Sequence, residues 1–246
     1  MNINLLTEHE AQSLNALIDN AENIVIFSHR SPDGDAIGSS LGMAAYLKQR
    51  GKENVAVVVP DMFPNFLQWM PGADFILRYD KKKEEVEKTV SEADLMFCLD
   101  FNDASRTAEI EPFITESKAK KVLIDHHLDP NIDVEIKVSH PEACSTCELV
   151  FRIIWQLGGF DSMDKDVAVP IYCGMMTDTG GFTYNSNRPE IFFIISQLLT
   201  KGINKDKIYR NVFNNYSVWR LRLMGFVMYT KLNAVSYTHL TLPTIR

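Results

Sequence analysis

The stretch Lys121-Val122-Leu123-Ile124-Asp125-His126-His127 joins a short apolar run to acidic and imidazole side chains. A strand buried on both faces rarely carries a carboxylate along its length, but its end can present one to a cleft. The same arrangement recurs at three places, where an apolar run precedes acidic or imidazole residues. Run 24–27 precedes His29, Asp33 and Asp35; run 95–99 precedes Asp100; and run 169–176 precedes Asp178. We therefore expect these ends to converge in one crevice that holds divalent metal.

Short apolar runs alternate with helix-patterned segments through the first half of the chain. The predicted strands are 24–27, 55–59, 74–79, 95–99 and 122–124, and the predicted helices are 7–20, 36–49, 81–90 and 109–117. This alternation is typical of βαβ units and a parallel sheet. We predict an α/β fold with a Rossmann-like, mostly parallel five-stranded sheet and helices on both faces. In such sheets, ligands bind outside the carboxyl ends of the strands.

Beyond residue 129 the pattern becomes mainly helical, with a short extended piece at 134–138. The predicted helices are 145–157, 166–176, 189–199 and 208–232, and Thr7 with Glu10 and Ser145 with Glu148 predict capping boxes. We expect residues 1–185 to form one domain and residues 186–234 to form a helical connector. The apolar segment 191–199 makes a homodimer possible. Residues 235–246 fit neither pattern, and we interpret them as a non-native tail.

Composition restricts the classes of partner. The chain has 246 residues, of which 46% are hydrophobic, a formal net charge of −7 and a pI of about 5.4. An acidic surface disfavours extended binding of duplex DNA, although a small anionic substrate remains compatible with local cations. Because no signal peptide and no bilayer-length apolar stretch is present, we expect a soluble cytoplasmic protein without membrane partners.

The four cysteines are Cys98, Cys144, Cys147 and Cys173. We interpret them as small buried hydrophobes in a reducing cytosol. The spacing Cys144-x-x-Cys147 leaves a redox or zinc pair open, but no second pair follows at zinc-finger spacing.

The acidic and imidazole residues suit a pair of metal ions. Asp33 and Asp35 flank Gly34, so a tight loop could turn one carboxylate toward each cation, and Asp100 could bridge both. His29 could serve the first ion, and His126 and Asp178 the second. Such a mixed set suits Mn²⁺, with Fe²⁺, Co²⁺ or Zn²⁺ possible, whereas an all-oxygen set would favour Mg²⁺. Two ions about 3.5–4 Å apart can activate a water for phosphoryl transfer.

Four segments, in order, resemble the motifs of the DHH phosphoesterases. They are His-Arg-Ser-Pro-Asp-Gly-Asp-Ala-Ile-Gly-Ser at 29–39, Asp100 with Ser105-Arg106, Asp125-His126-His127, and Thr177-Asp178-Thr179-Gly180-Gly181-Phe182. The order and spacing match over residues ~20–185. Within the family, Pro-Asp-Gly-Asp-Ala-Ile-Gly-Ser is most similar to the nanoRNase/pAp-phosphatase branch, which acts on very short oligonucleotides and 3′-phosphoadenosine 5′-phosphate (pAp).

The resemblance assigns roles to the matching residues. It implies His29, Asp33 and Asp100 as ligands of a first metal, and Asp35, Asp100, His126 and Asp178 as ligands of a second. It also implies that His127 meets the substrate phosphate and donates a proton to the leaving group, that Asp125 orients the histidines, and that Arg106 neutralises phosphate charge. The expected substrates are short single-stranded RNA or DNA oligonucleotides or nucleotide bisphosphates.

The resemblance also exposes a departure. Such enzymes carry a smaller C-terminal DHHA1 domain with a Gly-rich, histidine-containing motif that binds substrate, and no Gly-Gly-Gly-His occurs here. We therefore expect the connector to lead to a missing DHHA1 domain and the chain to turn over poorly while still binding metal. Base recognition would come from that domain.

Several alternatives remain open from the sequence. A manganese-dependent inorganic pyrophosphatase, a cyclic-dinucleotide or pApA phosphodiesterase, and an inactive nucleotide-binding module would each fit part of the pattern. Gly180-Gly181 is interpreted as a turn, with close approach to a phosphate as the alternative. Ser145 and Thr146 are interpreted as a helix start, with anion binding as the alternative. The aromatic and Met residues of 213–229 are interpreted as packing surface rather than as a base-stacking platform.

Overall fold

The computed structural model describes residues 3–236 and 239–241, with side-chain burial described up to residue 232. The strands of the main sheet are β1 (Asn23–Phe27), β2 (Asn54–Val59), β3 (Leu77–Arg78), β4 (Leu95–Leu99), β5 (Lys120–Asp125) and β6 (Ile136–Ser139). The α-helices are α1 (Glu8–Asn20), α2 (Gly34–Gln49), α3 (Lys83–Ser91), α4 (Glu111–Thr115), α5 (Thr146–Gln156), α6 (Lys165–Asp178), α7 (Pro189–Thr200), α8 (Lys205–Phe213) and α9 (Val218–Thr230). Short 3-10 helices span Asn65–Leu67, Ala73–Phe75 and Ala104–Ile110.

Within the described ranges, the main sheet has six strands in the order β3-β2-β1-β4-β5-β6, and every pairing is parallel. The strand order reverses between β1 and β4, where α/β sheets of this kind place their ligands. The predicted α/β class and the mostly parallel sheet are confirmed.

The predicted count of five strands is wrong. Residues 136–139 pair with β5 as an edge strand, whereas only a short extended piece was predicted at 134–138. Ile136 and Val138 are buried while Lys137 is exposed, so this strand alternates instead of showing the continuous apolar run of a central strand. At the other edge, β3 is only two residues long, because Ala73–Phe75 forms a 3-10 helix.

Both faces of the sheet are covered, as predicted. Along β1, Ile24 and Ile26 belong to one buried cluster, and Val25 and Phe27 to another on the opposite face. The first cluster joins the sheet to α1, α2, α5, α6 and α7, and the second joins it to α3 and α4. The alternate direction of strand side chains explains this division.

Helices α2 and α6 lie in backbone contact along a stripe of glycines. A Cβ added to Gly38 would lie 2.6 Å from the Pro170 carbonyl oxygen and 3.1 Å from Gly174 Cα. Gly34 faces Thr177, near the end of α6, and Gly42 faces Ile171, one to two turns earlier. The two helices therefore run antiparallel, which sets the N-terminus of α2 beside the C-terminus of α6.

The capping residues explain several helix ends. Thr7 and Glu10 form the predicted capping box of α1. At α5, the Ser145 hydroxyl accepts from the Glu148 N–H at 3.1 Å, as predicted. The second half of that box is wrong, since the Glu148 carboxylate accepts from the Cys144 N–H at 2.8 Å instead. Ion pairs with Arg152 and Arg188 hold Glu148 in this position.

The C-terminal helices differ from the single long helix predicted at 208–232. Helix α8 ends at Phe213, and α9 begins after Ser217, whose hydroxyl accepts from the Arg220 N–H. Helix α8 buries Ile208 and Val212, whereas none of the residues of α9 is buried.

The apolar segment 191–199 is largely explained by the core of the protein itself. Ile191, Ile194 and Leu198 on α7 are buried within the chain, so the homodimer stays a prediction. Nowhere in the described part of the chain is there a helix with the length and apolar character needed to cross a bilayer.

After α9, the described residues include two short antiparallel strands, β7 (Asn233–Ser236) and β8 (His239–Thr241). The sequence pattern predicted no element there. Residues 237–238 and 242–246 of the interpreted tail lie outside the described residues, and its non-native origin stays a prediction.

Candidate metal centre

The predicted site residues meet at the carboxyl edge of the sheet. Asp33 precedes α2 and caps it, since its side chain accepts from the N–H groups of Asp35 and Ala36 at 3.0 and 3.1 Å. Asp100 follows β4, His126 follows β5, and Asp178 is the last residue of α6. The antiparallel contact of α2 with α6 brings Asp178, at the end of α6, to the crevice at the ends of β1, β4 and β5.

Three groups of side chains have possible ligand atoms within 4.8 Å of one another. They are His29 with Asp33 and Asp100, Asp35 with His126 and Asp178, and Asp100 with His126 and His127. The structure thus brings together all six residues predicted as ligands. It also places His127 close to Asp100 and His126, which the sequence interpretation did not predict.

Asp100 stands between the first two groups. Its Oδ2 lies 3.5 Å from His29 Nε2, and its Oδ1 lies 3.6 Å from His126 Nε2. The same His126 nitrogen lies 3.8 Å from Asp35 Oδ2 and 3.7 Å from Asp178 Oδ2. Because bound ions lie about 2 Å from their ligand atoms, ligands of one ion are about 3–4 Å apart. The spacing in this cluster therefore fits ions held between the side chains.

The backbone at Asp100 adopts an unusual conformation, with φ at +68°. Left-handed backbone is uncommon for residues other than glycine, although aspartate and asparagine adopt it more readily than most. The Asp100 N–H donates to the Ile124 carbonyl at 3.2 Å, which ties the end of β4 to β5. This conformation redirects the chain directly after the buried strand and presents the carboxylate to the crevice.

The carboxylates are buried close to one another, and imidazoles offset only part of their mutual repulsion. Burial raises the pKa of Asp35 well above its usual value, and the charges of Asp100 and Asp178 add to that effect. Burial also raises the pKa of Asp178, to about 6. For Asp100, burial alone would raise the pKa, but hydrogen bonding with His29 and the nearby imidazoles lower it. Cations at this centre would relieve the repulsion among these groups.

Helix α5 supplies donors to the same carboxylates. The N–H groups of Thr146 and Cys147 donate to Asp35 Oδ2 and Oδ1 at 2.6 and 2.9 Å. The Thr146 hydroxyl donates to Asp100 Oδ1 at 2.9 Å. The sequence interpretation gave Thr146 as a helix start, with anion binding at that N-terminus as the alternative, and did not identify its contacts with Asp35 and Asp100. The predicted start of α5 contained the signal, because the N-terminus of a helix favours an anion, and here the anion is the carboxylate of Asp35.

Below these donors, Glu148 holds the first turn of α5 in place. Its buried carboxylate accepts from Cys144 and from the guanidinium groups of Arg152 and Arg188. Arg188 directly precedes α7, so this network joins α5 to α7 beneath the site. Apart from the proposed cap, no sequence pattern predicted this network.

His127 is oriented by Asp125. The His127 Nδ1–H donates to Asp125 Oδ1 at 2.7 Å, and Asp125 is completely buried at the end of β5. This hydrogen bond raises the pKa of His127, in opposition to the effect of burial. Because Nδ1 is engaged, Nε2 remains for contact with a substrate or an ion. The structure brings Asp125 into contact with His127, and the predicted orienting role of Asp125 stays a prediction.

Arg106 lies at the edge of the site. Its carbonyl accepts from the Arg30 N–H at 2.8 Å, and its side chain is half-buried. The positive charge of Arg106 acts to lower the pKa of His127, against the larger raising effect of the hydrogen bond with Asp125. The role of Arg106 toward phosphate stays a prediction.

Two further sequence interpretations can be compared with the structure. All four cysteines are free and buried, and the groups that could hold metal among the described residues include none of them. Gly180 and Gly181 both have positive φ, and their N–H groups donate to the Thr177 and Met176 carbonyls at the end of α6. The glycine pair therefore forms a turn that caps α6.

Comparison with known proteins gives matches over most of the chain. A sequence model described as "DHH family, N-terminal domain" matches residues 23–175. The bifunctional oligoribonuclease and PAP phosphatase NrnA of Thermus thermophilus is 33% identical over 211 residues, which cover 84% of this chain and 58% of the relative. The cyclic-di-AMP phosphodiesterase PdeA of Listeria monocytogenes is 26% identical over 180 residues, or 70% of this chain and 27% of that protein.

A solved structure is similar in fold and sequence. An exopolyphosphatase-related protein from Bacteroides fragilis superposes with a TM-score of 0.89 at 51% sequence identity. The alignment covers 93% of this chain and 68% of that one. The chain spans only 58% of the length of the Thermus relative and less of the Listeria relative.

Proposed function

The chain belongs to the DHH family of phosphoesterases, and from that premise we propose that it hydrolyses short oligonucleotides or pAp with two bound divalent cations. The observation that carries this proposal is the position of Asp100, whose two carboxylate oxygens face His29 and His126 in two separate ligand groups. A bridging carboxylate of this kind suits a pair of ions that act on one phosphate.

The donor set fits the cations that the sequence predicts. His29, Asp33 and Asp100 would hold one ion, and Asp35, His126 and Asp178 would hold the other with Asp100. Imidazole and carboxylate together favour Mn²⁺, with Co²⁺, Fe²⁺ or Zn²⁺ as alternatives and Mg²⁺ less suited. When bound, the ions supply an activated water and neutralise charge on the phosphate.

The residues around the ions have separate tasks. His127, fixed through Nδ1 by Asp125, can hold a proton at Nε2 and deliver it to the leaving oxygen. Arg106, whose charge acts on His127, would neutralise a phosphate oxygen. Thr146 donates to Asp100 and Asp35 and so keeps both carboxylates turned toward the crevice.

The names of the relatives support this substrate class. The Thermus relative is named for oligoribonuclease and PAP phosphatase activities, and two other relatives share the NrnA name. The Listeria relative, named for cyclic-di-AMP, favours the cyclic-dinucleotide alternative at lower identity. Because the chain spans about three fifths of the Thermus relative, the activity of that whole protein is carried over only as part of the proposal.

The direct test is hydrolysis by the Mn²⁺-loaded protein of pAp, a dinucleotide, cyclic di-AMP and pyrophosphate, each measured separately. We expect release of phosphate from pAp or of mononucleotides from the dinucleotide, and loss of both in Asp100→Asn. Rapid cleavage of pyrophosphate alone would favour the pyrophosphatase, and cleavage of cyclic di-AMP alone would favour the cyclic-dinucleotide enzyme. If the protein binds none of these transition metals, it is the inactive binding module.

A further inference from the structure

We propose that the cleft between the 3-10 helix Asn65–Leu67 and the start of α9 binds the nucleotide portion of the substrate, with Arg220 on a phosphate that is not cleaved. In this proposal, the aromatic rings of Tyr216 and Phe66 contact the base. The inference rests on the proposed function, because it names where a nucleotide lies once its reacting phosphate is at the metal centre.

The cleft begins at the metal centre. A cavity of about 230 Å³ is lined by Asp33 and Asp178 on one side and by Phe66, Tyr216 and Arg220 on the other. A neighbouring cavity of about 460 Å³ shares Phe66 and Arg220 and continues outward past residues 62–65. The two cavities thus lead from two predicted metal ligands to the surface along one wall.

Arg220 is a cation for which the described part of the chain provides no acidic partner. Among the described residues, it makes none of the ion pairs, while Arg50, Arg78, Arg152 and Arg188 each pair with a carboxylate. Its guanidinium carbon lies 4.5 Å from the centre of the Tyr216 ring, so the group stacks over an aromatic face. A guanidinium held in this way keeps its N–H donors for a planar acceptor such as phosphate.

The aromatic residues of the wall are incompletely covered. Phe66 and Tyr216 are half-buried, and Tyr216 lies in the break between α8 and α9, outside the packed core. Partly exposed aromatic rings beside an arginine form the kind of surface on which bases stack without sequence preference. The sequence analysis interprets the aromatic and Met residues of 213–229 as packing surface; for Tyr216, its place on the cleft wall favours the base-stacking alternative.

The chemistry defines the ligand class. A substrate with only one phosphate would fill the metal centre and leave Arg220 without a partner. A nucleoside bisphosphate, a 5′-phosphorylated dinucleotide or a longer oligonucleotide carries a second phosphate and a base, which match the cation and the rings of the cleft. The cleft thus favours nucleotides with a second phosphate over simple phosphate esters.

The test compares Arg220→Ala with Arg222→Ala. Arg222 lies on the same helix, stacks on Trp219 at 5.5 Å and lines neither cavity, so the control removes an equal charge. With Mn²⁺ present, we expect Arg220→Ala to raise KM for pAp about tenfold and to change kcat/KM for p-nitrophenyl phosphate less than about twofold. Arg222→Ala should change neither value, and Tyr216→Ala should raise KM for pAp while Tyr216→Phe should not.

A separate measurement distinguishes this proposal from the proposed function. Isothermal titration of the metal-free full chain with pAp measures the cleft without turnover. If the wild-type protein hydrolyses no phosphate ester, the proposed function fails, yet weaker pAp binding by Arg220→Ala alone would still support the cleft. The proposed cleft would be overturned by equal pAp affinities in the wild type and Arg220→Ala. Equal losses of pAp affinity in Arg220→Ala and Arg222→Ala, or no pAp binding by the wild type, would also overturn it.

Discussion

The backbone N–H of Thr146 donates to Asp35 Oδ2 at 2.6 Å, although the two residues lie 111 positions apart along the chain. The same residue donates its hydroxyl to Asp100 Oδ1. One turn of α5 therefore contacts two carboxylates that would otherwise repel each other in a buried crevice. Such contacts fix ligand orientation before a metal binds, and they commonly affect metal affinity strongly.

The substitution Thr146→Ala tests this role. It removes the hydroxyl bond to Asp100 but keeps the backbone bond to Asp35, so we expect Mn²⁺ affinity to fall about tenfold. Thr146→Ser retains the hydroxyl and should bind Mn²⁺ like the wild type. Isothermal titration with Mn²⁺ measures both variants. Equal affinities for the alanine and serine variants would show that the hydroxyl does not orient Asp100.

The substitution Asp178→Asn should change stability in opposite directions with and without metal. Burial raises the pKa of Asp178 to about 6, so its charge destabilises the metal-free fold near neutral pH. Removing that charge should stabilise the metal-free protein by about 1 kcal/mol. The stabilisation by added Mn²⁺ should shrink, because one ligand is lost.

Thermal unfolding with EDTA or with excess Mn²⁺ measures both effects. Asp161→Asn is the matched control, since Asp161 is an exposed carboxylate before the opposite end of α6. That variant should unfold like the wild type in both conditions. If added Mn²⁺ stabilises Asp178→Asn as much as the wild type, Asp178 is not a metal ligand.

The sequence was sufficient for the features that depend on repeating patterns. The apolar run before Asp125 and the alternation of strands with helices predicted the parallel sheet and the edge at which the site lies. The sixth strand was missed because an edge strand with Lys137 facing solvent has no continuous apolar run. The break after Phe213 was missed because the apolar pattern continues through α9 without being buried.

The site was predictable in its side chains but not in its backbone. Carboxylate and imidazole residues at strand ends are visible in the sequence, and the structure places them together. The two donors to Asp35 are the backbone N–H groups of Thr146 and Cys147, and every residue except proline carries such a group. Only the fold determines which of them meets a buried carboxylate. The positive φ of Asp100 is likewise a consequence of the chain path after β4.

The close contact of α2 with α6 predicts the effect of Gly38→Ala. The added methyl group would lie 2.6 Å from the Pro170 carbonyl and 3.0 Å from Cys147 Sγ, so the helices must separate. We expect the free energy of unfolding to fall by about 1–3 kcal/mol despite the higher helix propensity of alanine. Gly225→Ala, on α9 with open space around its Cα, should not lower stability. Urea unfolding of both variants measures the difference, and equal stabilities would contradict the close packing.

The buried cysteines predict that the native protein resists thiol reagents. Burial raises the pKa of Cys98 and of Cys173 to about 12 and raises that of Cys144 and Cys147 as well, so few thiolates form at mildly alkaline pH. Cys147 Sγ also donates to the Asp35 carbonyl, within the packed start of α5. With Ellman's reagent, we expect almost no reaction of the native protein and reaction of all four thiols after denaturation in EDTA. Rapid reaction of two thiols in the native state would instead support a redox pair at Cys144 and Cys147. Two thiols that react after denaturation only when EDTA is added would indicate bound zinc.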